Sequence, residues 1–427
     1  MLLPLAVIFL GTMLLGMPIA FSMAASAISA LAFFGNIPMS VVVQKIFAAG
    51  SSYPLLAIPL FVLTGELMTM AGMTAQLVRF CDSLVGHWRG GLASVAILSC
   101  MIISGISGSG VADCAAIGTI MIPQLVGKGY PRGMASSIVG TGSALGPIIP
   151  PSILMVIYAS IAEISVGELF LAGFLPGFLI TAGLILVAYL MNLQGEWDKA
   201  GRPRAGLREI WRATREATLP LLAPILIIGG IVTGIFTATE AGVVGAAYGL
   251  IAVWYFGRLR YQELKVVFVR SALISALSLF IISMASIFGW ILAVENFPQM
   301  VQSLLIRLGF GSPTLTTIYI LTFLVFLGFF VEVISMLIIF TPILAPMAPS
   351  LGLDPIHWGL LLVMAINMGG VTPPVAANLY VSSSIAKCRL DETSRYVFPL
   401  VAALYAVLIL TIFVPGLATV LPRALMR

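Results

Sequence analysis

Charge is what this chain lacks. Lys, Arg, Asp and Glu make up 9% of its 427 residues, while 60% are hydrophobic; a soluble domain carries about 25% charged residues. No soluble fold buries that much apolar surface, so the chain belongs in a lipid bilayer. Histidine is almost absent as well, with His87 and His357 the two present. Both fall in connecting regions near the membrane faces, which leaves a membrane-embedded nucleophile without a base. Four cysteines, Cys81, Cys100, Cys114 and Cys388, show neither metal spacing nor a disulfide framework and read as free thiols. The phosphate-binding pattern GxxxxGK[ST] is missing, so energy from ATP bound by this chain is excluded. The opening MLLPLAVIFL has no basic n-region, and a cleaved signal peptide is not expected.

What is present is a series of apolar segments at residues 1–17, 18–35, 53–75, 134–162, 168–193, 218–234, 236–257, 271–296, 356–385 and 396–420. A span needs about 20 residues, so about ten crossings are expected. The first two segments are short and divide near Gly16 and Pro18. Two further regions, 91–126 and 313–348, each have room for two short helices and break in the middle at glycine and an acid: SGISGSGVAD in one, LGFFVEVIS in the other. Backbone that leaves the helix at membrane depth must be buried in protein or line a wet cavity. Both regions therefore read as re-entrant hairpins whose tips face an internal site.

The net charge of +5 comes from short loops, which is an orientation signal rather than a nucleic-acid footprint. Six basic residues between Lys199 and Arg215 place that loop in the cytoplasm. Arg79 and Arg89 before the first hairpin, with Lys128 and Arg132 after it, make it enter from the cytoplasm. GFGSPT and APSLGLDPIHW flank the second without a basic residue, so it enters from the other side. These signs agree if the N-terminus is periplasmic.

The order of elements then repeats with inverted orientation. Residues 1–52 are scaffold and an amphipathic arm (36–52), and 53–193 carry the first hairpin and a broken helix (134–162). Residues 194–270 are a cytoplasmic loop, scaffold and a second arm (258–270), and 271–427 carry the second hairpin and a broken helix (356–385). GPIIPP starting at Gly146 and GGVTPP starting at Gly369 lie 223 residues apart. Proline pairs inside an apolar segment free backbone carbonyls. Inverted repeats with matched helix breaks mark secondary transporters that bind at the midplane. The fold class expected is all-α, polytopic and inverted-repeat.

The tip from Ser107 to Gly110 and the break from Gly146 to Pro151 offer carbonyls and hydroxyls to a dehydrated hard cation such as sodium. Gly328, Gly369 and Thr372 form the matching set. Helices restarting after Ser109 and after Pro374 would turn positive dipole ends toward an anion. Asp113 and Glu332 are the conspicuous acids. Each either ties its hairpin by accepting backbone N–H bonds, couples to an ion or proton, or touches substrate. Glu66 and Glu295 read as structural polar contacts and Glu240 as a helix cap.

Three runs carry a resemblance: GSGVADCAAIGTIMIPQLVGKGYPRGMASSIVGTGSALGPIIPPSI, GIFTATEAGVVGAAYGL and TPILAPMAPSLGLDPIHWGLLLVMAINMGGVTPP. They resemble the large membrane subunit of tripartite ATP-independent periplasmic (TRAP) transporters, from the first segment to the last. The resemblance implies an elevator-type fold of the ion transporter superfamily and a sodium-coupled importer of an organic acid in the bacterial inner membrane. It implies two or more sodium ions and no organic cofactor. Its partners would be a periplasmic substrate-binding protein and a small four-helix membrane subunit, expected as a separate chain because this one starts at the first large-subunit helix. Family positions carry over onto Ser107, Gly146 and Ile149 for one sodium, onto Gly328, Gly369 and Thr372 for the other, and onto Ser109 with Asp113 for the substrate carboxylate. Hydroxyls at Ser107, Ser109, Thr141, Ser143 and Ser152 favour sialic acid slightly over a C4-dicarboxylate. Alternatives are a stand-alone sodium/carboxylate symporter and, remotely, an intramembrane serine protease suggested by GISG at residues 105–108.

Overall fold

A computed structural model describes residues 1–34, 38–195, 197–198, 204–307, 312–374 and 376–426. Lys199 of the basic loop, the start of the first arm at 36–37 and the flank of the second hairpin at 309–311 lie outside the described residues. The first half runs α1 Leu2–Leu14, α2 Ile19–Phe34, α3 Ser40–Gly50, α4 Ala57–Met70, α5 Met73–Val85, α6 Gly91–Ser107, α7 Gly110–Gly127, α8 Arg132–Gly142, α9 Ile153–Ala162 and α10 Val166–Gly195. The second runs α11 Leu207–Glu216, α12 Thr218–Val232, α13 Ala238–Tyr255, α14 Tyr261–Val294, α15 Phe297–Arg307, α16 Pro313–Gly328, α17 Val333–Leu344, α18 Pro355–Gly369, α19 Ala377–Ala386, α20 Leu390–Phe413 and α21 Gly416–Leu425.

Proline and glycine set most of the breaks. Gly16, at φ +81°, and Pro18 separate α1 from α2 where the sequence places the division. The first hairpin is α6 and α7 with Gly108 and Ser109 between them; the second is α16 and α17 with residues 329–332 between them. The two interrupted helices are α8 with α9 and α18 with α19. Among the described residues, five helices are long and apolar enough to cross a bilayer singly, or six if α11 and α12, which meet at 58°, form one bent span. The other apolar helices have 10–17 residues. About ten crossings were expected from segment length, but breaks divide several of those segments into helices too short to span alone.

One boundary differs from expectation. Residues 261–270 are not a separate arm: α14 runs unbroken for 34 residues, about 51 Å at 1.5 Å per residue. Between Arg258 and Phe288 there is neither glycine nor proline to stop it. The first arm does form a short helix, α3, from Ser40.

Packing is closest within two groups of helices, which also touch each other where α14 lies against α17 and α4 against α6. α1 to α4 and α12 to α14 contact one another, as do α6 to α10 with α16 to α21. In the first group α13 lies against α4 through glycines. A Cβ at Gly242, Gly245 or Gly249 would stand 2.8, 3.0 and 2.9 Å from Leu60, Thr64 and Leu67, the close approach that small residues permit between membrane helices. Thr237 and Glu240 form a capping box at the start of α13, the role expected of Glu240. Glu66 reaches Arg270 at 3.7 Å and Glu295 the Met1 amine at 3.3 Å. Both are structural ion pairs.

The second group carries the repeat symmetry. The Pro150–Pro151 and Pro373–Pro374 peptide bonds are both cis, at the 223-residue offset. Asn367 Nδ2 donates to the Ala144 carbonyl at 2.8 Å, across the same 223 positions. Two equivalent positions that touch must lie close to the axis relating the halves, so the breaks meet there.

Candidate functional site

In the first half the hairpin tip is tied from behind. Ser104 and Ser107, one turn apart on α6, both donate to the Asp113 carboxylate, Ser104 at 2.8 Å. The Ser109 backbone N–H donates to Ser107 Oγ at 3.1 Å. Asp113 is 1% exposed, a charge that is tolerable at this depth only with such partners. Gly146 closes over this cluster, for a Cβ there would stand 2.6 Å from Gly110 N and 2.8 Å from Asp113 Oδ2. Gly108 turns the tip in the left-handed region at φ +64°, where a Cβ would meet the Pro151 carbonyl at 2.5 Å. Ser107, Asp113 and Gly146 are thus one cluster. Ile149 packs its side chain toward Gly177 and Gly105 on the adjoining side.

The second half builds its counterpart from glycine and a hydroxyl. Gly328 ends α16 and Gly369 ends α18, so close that a Cβ at Gly328 would stand 2.7 Å from Gly369 Cα. Thr372 N–H donates to the Gly369 carbonyl at 3.1 Å. The Thr372 hydroxyl lies 2.9 Å from the Met368 carbonyl and 2.8 Å from the Tyr405 hydroxyl on α20. Glu332 caps α17, accepting from Ile334 N and Ser335 N at 3.0 and 2.8 Å. In the second half, then, the C-terminal end of a hairpin helix meets that of an interrupted one; in the first, Ser107 at the end of α6 and Gly146, beyond the end of α8, both stand beside Asp113. Such ends carry unpaired carbonyls and the negative pole of the helix.

Between the halves lies a cavity of about 190 Å³. Ser109, Gly110 and Val111 at the start of α7 face it, with Ile153 and Leu154 from α9, Glu332 to Ile334 at the second tip, and Asn367, Ala377 and Asn378. Four helices therefore begin at its wall, and no Lys or Arg of the described residues lines it. A larger cleft of about 690 Å³ lies between α3 and α14 on one side and α9 and α17 on the other. It contains neither a tip nor a proline-pair break, and Lys45 stands over the Trp290 ring there at 5.6 Å.

Not every expected site residue reaches the central cavity. Ser109 and Glu332 line it, whereas Asp113 sits behind the tip. Ser152 caps α9, accepting from Met155 N at 3.2 Å and donating to the Pro147 carbonyl at 2.7 Å, and is fully buried. Thr141 and Ser143 donate to the carbonyls of Ser137 and Gly140 within their own helical segment. Ser104, Asn367, Asn378 and Tyr405 are additions that sequence reasoning did not name. Only Asn367 had a readable signal, because the 223-residue offset maps it onto Ala144. Ser107 donates to Asp113, His357 bonds the Thr411 carbonyl at 2.8 Å, and His87 lies in a separate pocket with Arg79 and Glu209, so no histidine is paired with that serine.

Two halves of like order, each with a re-entrant hairpin and an interrupted helix meeting at a shared cavity, define a membrane transporter of the inverted-repeat class. Relatives narrow the class. Residues 6–417 match the DctM component of the tripartite ATP-independent periplasmic transporters, and the chain belongs to that family. It is 34% identical, over 98% of each chain, to the C4-dicarboxylate TRAP transporter large permease protein DctM of Rhodobacter capsulatus. It is 33% identical, over 97% of each, to the sialic acid TRAP transporter large permease protein SiaM of Vibrio cholerae. The crystal structure of the YdaH transporter of Alcanivorax borkumensis shares the fold, with a TM-score of 0.58 over 88% of both chains at 16% identity.

Proposed function

We propose that this chain is the large permease of a sodium-coupled importer of a short organic acid in the bacterial inner membrane. The observation that carries the reading is the opposition of poles. The helix ends at Gly328 with Gly369, and the oxygens gathered around Asp113 by Ser107 and Gly146, suit two cations, while the helix N-termini around the cavity suit an anion. Sodium is cargo here, held by oxygens of Ser107, Gly146 and Ile149 in one half and of Gly328, Gly369 and Thr372 in the other. No basic side chain is needed to hold the acid when two bound cations lie nearby.

The cavity bears on substrate size. Pockets for drug-sized ligands run from about 300 to 1,000 Å³, so about 190 Å³ favours a short acid. Among the described lining residues only Ser109 bears a hydroxyl. The preference for a sugar acid that hydroxyls raise in the sequence loses its support, since Thr141, Ser143 and Ser152 donate to backbone carbonyls and Ser107 to Asp113. Transport proceeds by an elevator motion of the hairpin-bearing group against the other, and the 690 Å³ cleft at their boundary is room for such sliding. The acid arrives from a periplasmic binding protein, and a small four-helix subunit completes the membrane part. The N-terminus is periplasmic.

The test is uptake of radiolabelled succinate, pyruvate and sialic acid into proteoliposomes holding this chain and the small subunit. Each acid is assayed with and without an inward sodium gradient and the binding protein. Succinate or pyruvate uptake that needs both is expected. Uptake without the binding protein would make this a stand-alone symporter, and uptake without sodium would remove the coupling.

A further inference from the structure

Asn378 stands in the first turn of α19, where the helix restarts after the second proline pair. It is 6% exposed, yet among the described residues its side-chain amide forms no hydrogen bond. The amide opens onto the cavity rather than into packed protein, so a ligand there can pair it in place of water. Its backbone carbonyl is engaged, accepting from Cys114 Sγ at 3.2 Å, so the residue is anchored while its amide is open. That amide lines the central cavity and faces the start of α7: a Cβ at Gly110 would stand 2.9 Å from Asn378 Nδ2.

We propose that Asn378 recognises the substrate's carboxylate, an assignment that rests on the importer reading above. One carboxylate oxygen accepts from Asn378 Nδ2, and the other lies at the first-turn N–H groups of α7, which have no intrahelical partner. Asn367 also lines the cavity but already spends one of its two amide N–H donors on the Ala144 carbonyl, which fixes its orientation, whereas both donors of Asn378 are open. Glu332, exposed at the second tip, repels a carboxylate from that wall and so directs it toward α7 and α19. An amide supplies the donor without the cost of burying a lysine or arginine, which suits a site that must also release its cargo.

The experiment uses the complete transporter in proteoliposomes, with succinate, pyruvate and sialic acid as probes and the sodium response measured in parallel. Asn378→Ala raises the half-saturating concentration of every acid the wild type carries by tenfold or more and leaves the half-saturating sodium concentration unchanged. Asn378→Asp, nearly isosteric but anionic, abolishes uptake at wild-type membrane levels, and it carries the test if the alanine variant does not accumulate. Wild-type acid affinity in either variant, or acid and sodium constants that rise together, overturns the assignment while leaving the importer intact. A wild type that takes up none of the three acids overturns the importer reading and this one with it.

Discussion

Asp113 and Glu332 stand at related points of the two hairpins and are held differently. Asp113 is enclosed and accepts from two hydroxyls, whereas Glu332 is exposed and accepts from two backbone N–H groups. Hydrogen bonds to a charged group contribute about 1.5 to 3 kcal/mol, so Asp113 is a strong tie as well as an acid beside the first proposed cation position. Asp113→Asn keeps one acceptor oxygen and loses the charge. It is expected to raise the half-saturating sodium concentration of uptake about tenfold while the protein still reaches the membrane. An unchanged sodium titration in a variant with reduced membrane levels would leave Asp113 only its structural part. Both acids were legible in the sequence because charge is rare at that depth. Ser104 was not, since its bond depends on the turn of α6 that brings it beside Ser107. Tyr405 was invisible for a stronger reason, as its meeting with Thr372 joins segments 33 residues apart through tertiary packing alone.

Among the elements, the hairpins and interrupted helices were readable because proline pairs and glycine mark their breaks at a constant offset. α5, α11 and α15 escaped because a search for long apolar runs passes over short amphipathic helices. The stretch LREIWRATRE of α11, for example, mixes charged and apolar positions and buries none of its side chains. Such helices suit the headgroup layer. α14 misled in the opposite way, since its basic, amphipathic start reads as a separate arm although nothing interrupts the helix. Hairpin orientation remains the element-level expectation with most at stake. A cysteine placed at Lys128, exposed beside the first hairpin, is expected to react with an impermeant maleimide only from the cytoplasm. One at Gly352, exposed beyond the second hairpin, is expected to react only from the periplasm. Cys388 is replaced beforehand, since Cys81, Cys100 and Cys114 are buried and it is not. Labelling of both positions from one side would contradict the opposed entry of the two hairpins.

At the scale of the whole molecule, the two groups of helices differ in what binds them. α4 and α13 are locked through a glycine stripe, while α6 to α9 and α16 to α19 converge on breaks, hydroxyls and the cavity. The scarcity of charge that identifies a membrane protein also leaves the cavity lined by helix N-termini and amides, with no basic side chain among the described residues; the importer proposed above adds the cargo ions. On this account acid and sodium move together. The most direct test loads proteoliposomes with unlabelled buffer, adds labelled sodium at equal total sodium on both sides, and imposes an inward gradient of the transported acid with the binding protein present. Labelled sodium should enter in fixed proportion to the acid, with more than one ion per acid. Acid uptake that carries no sodium would contradict the account.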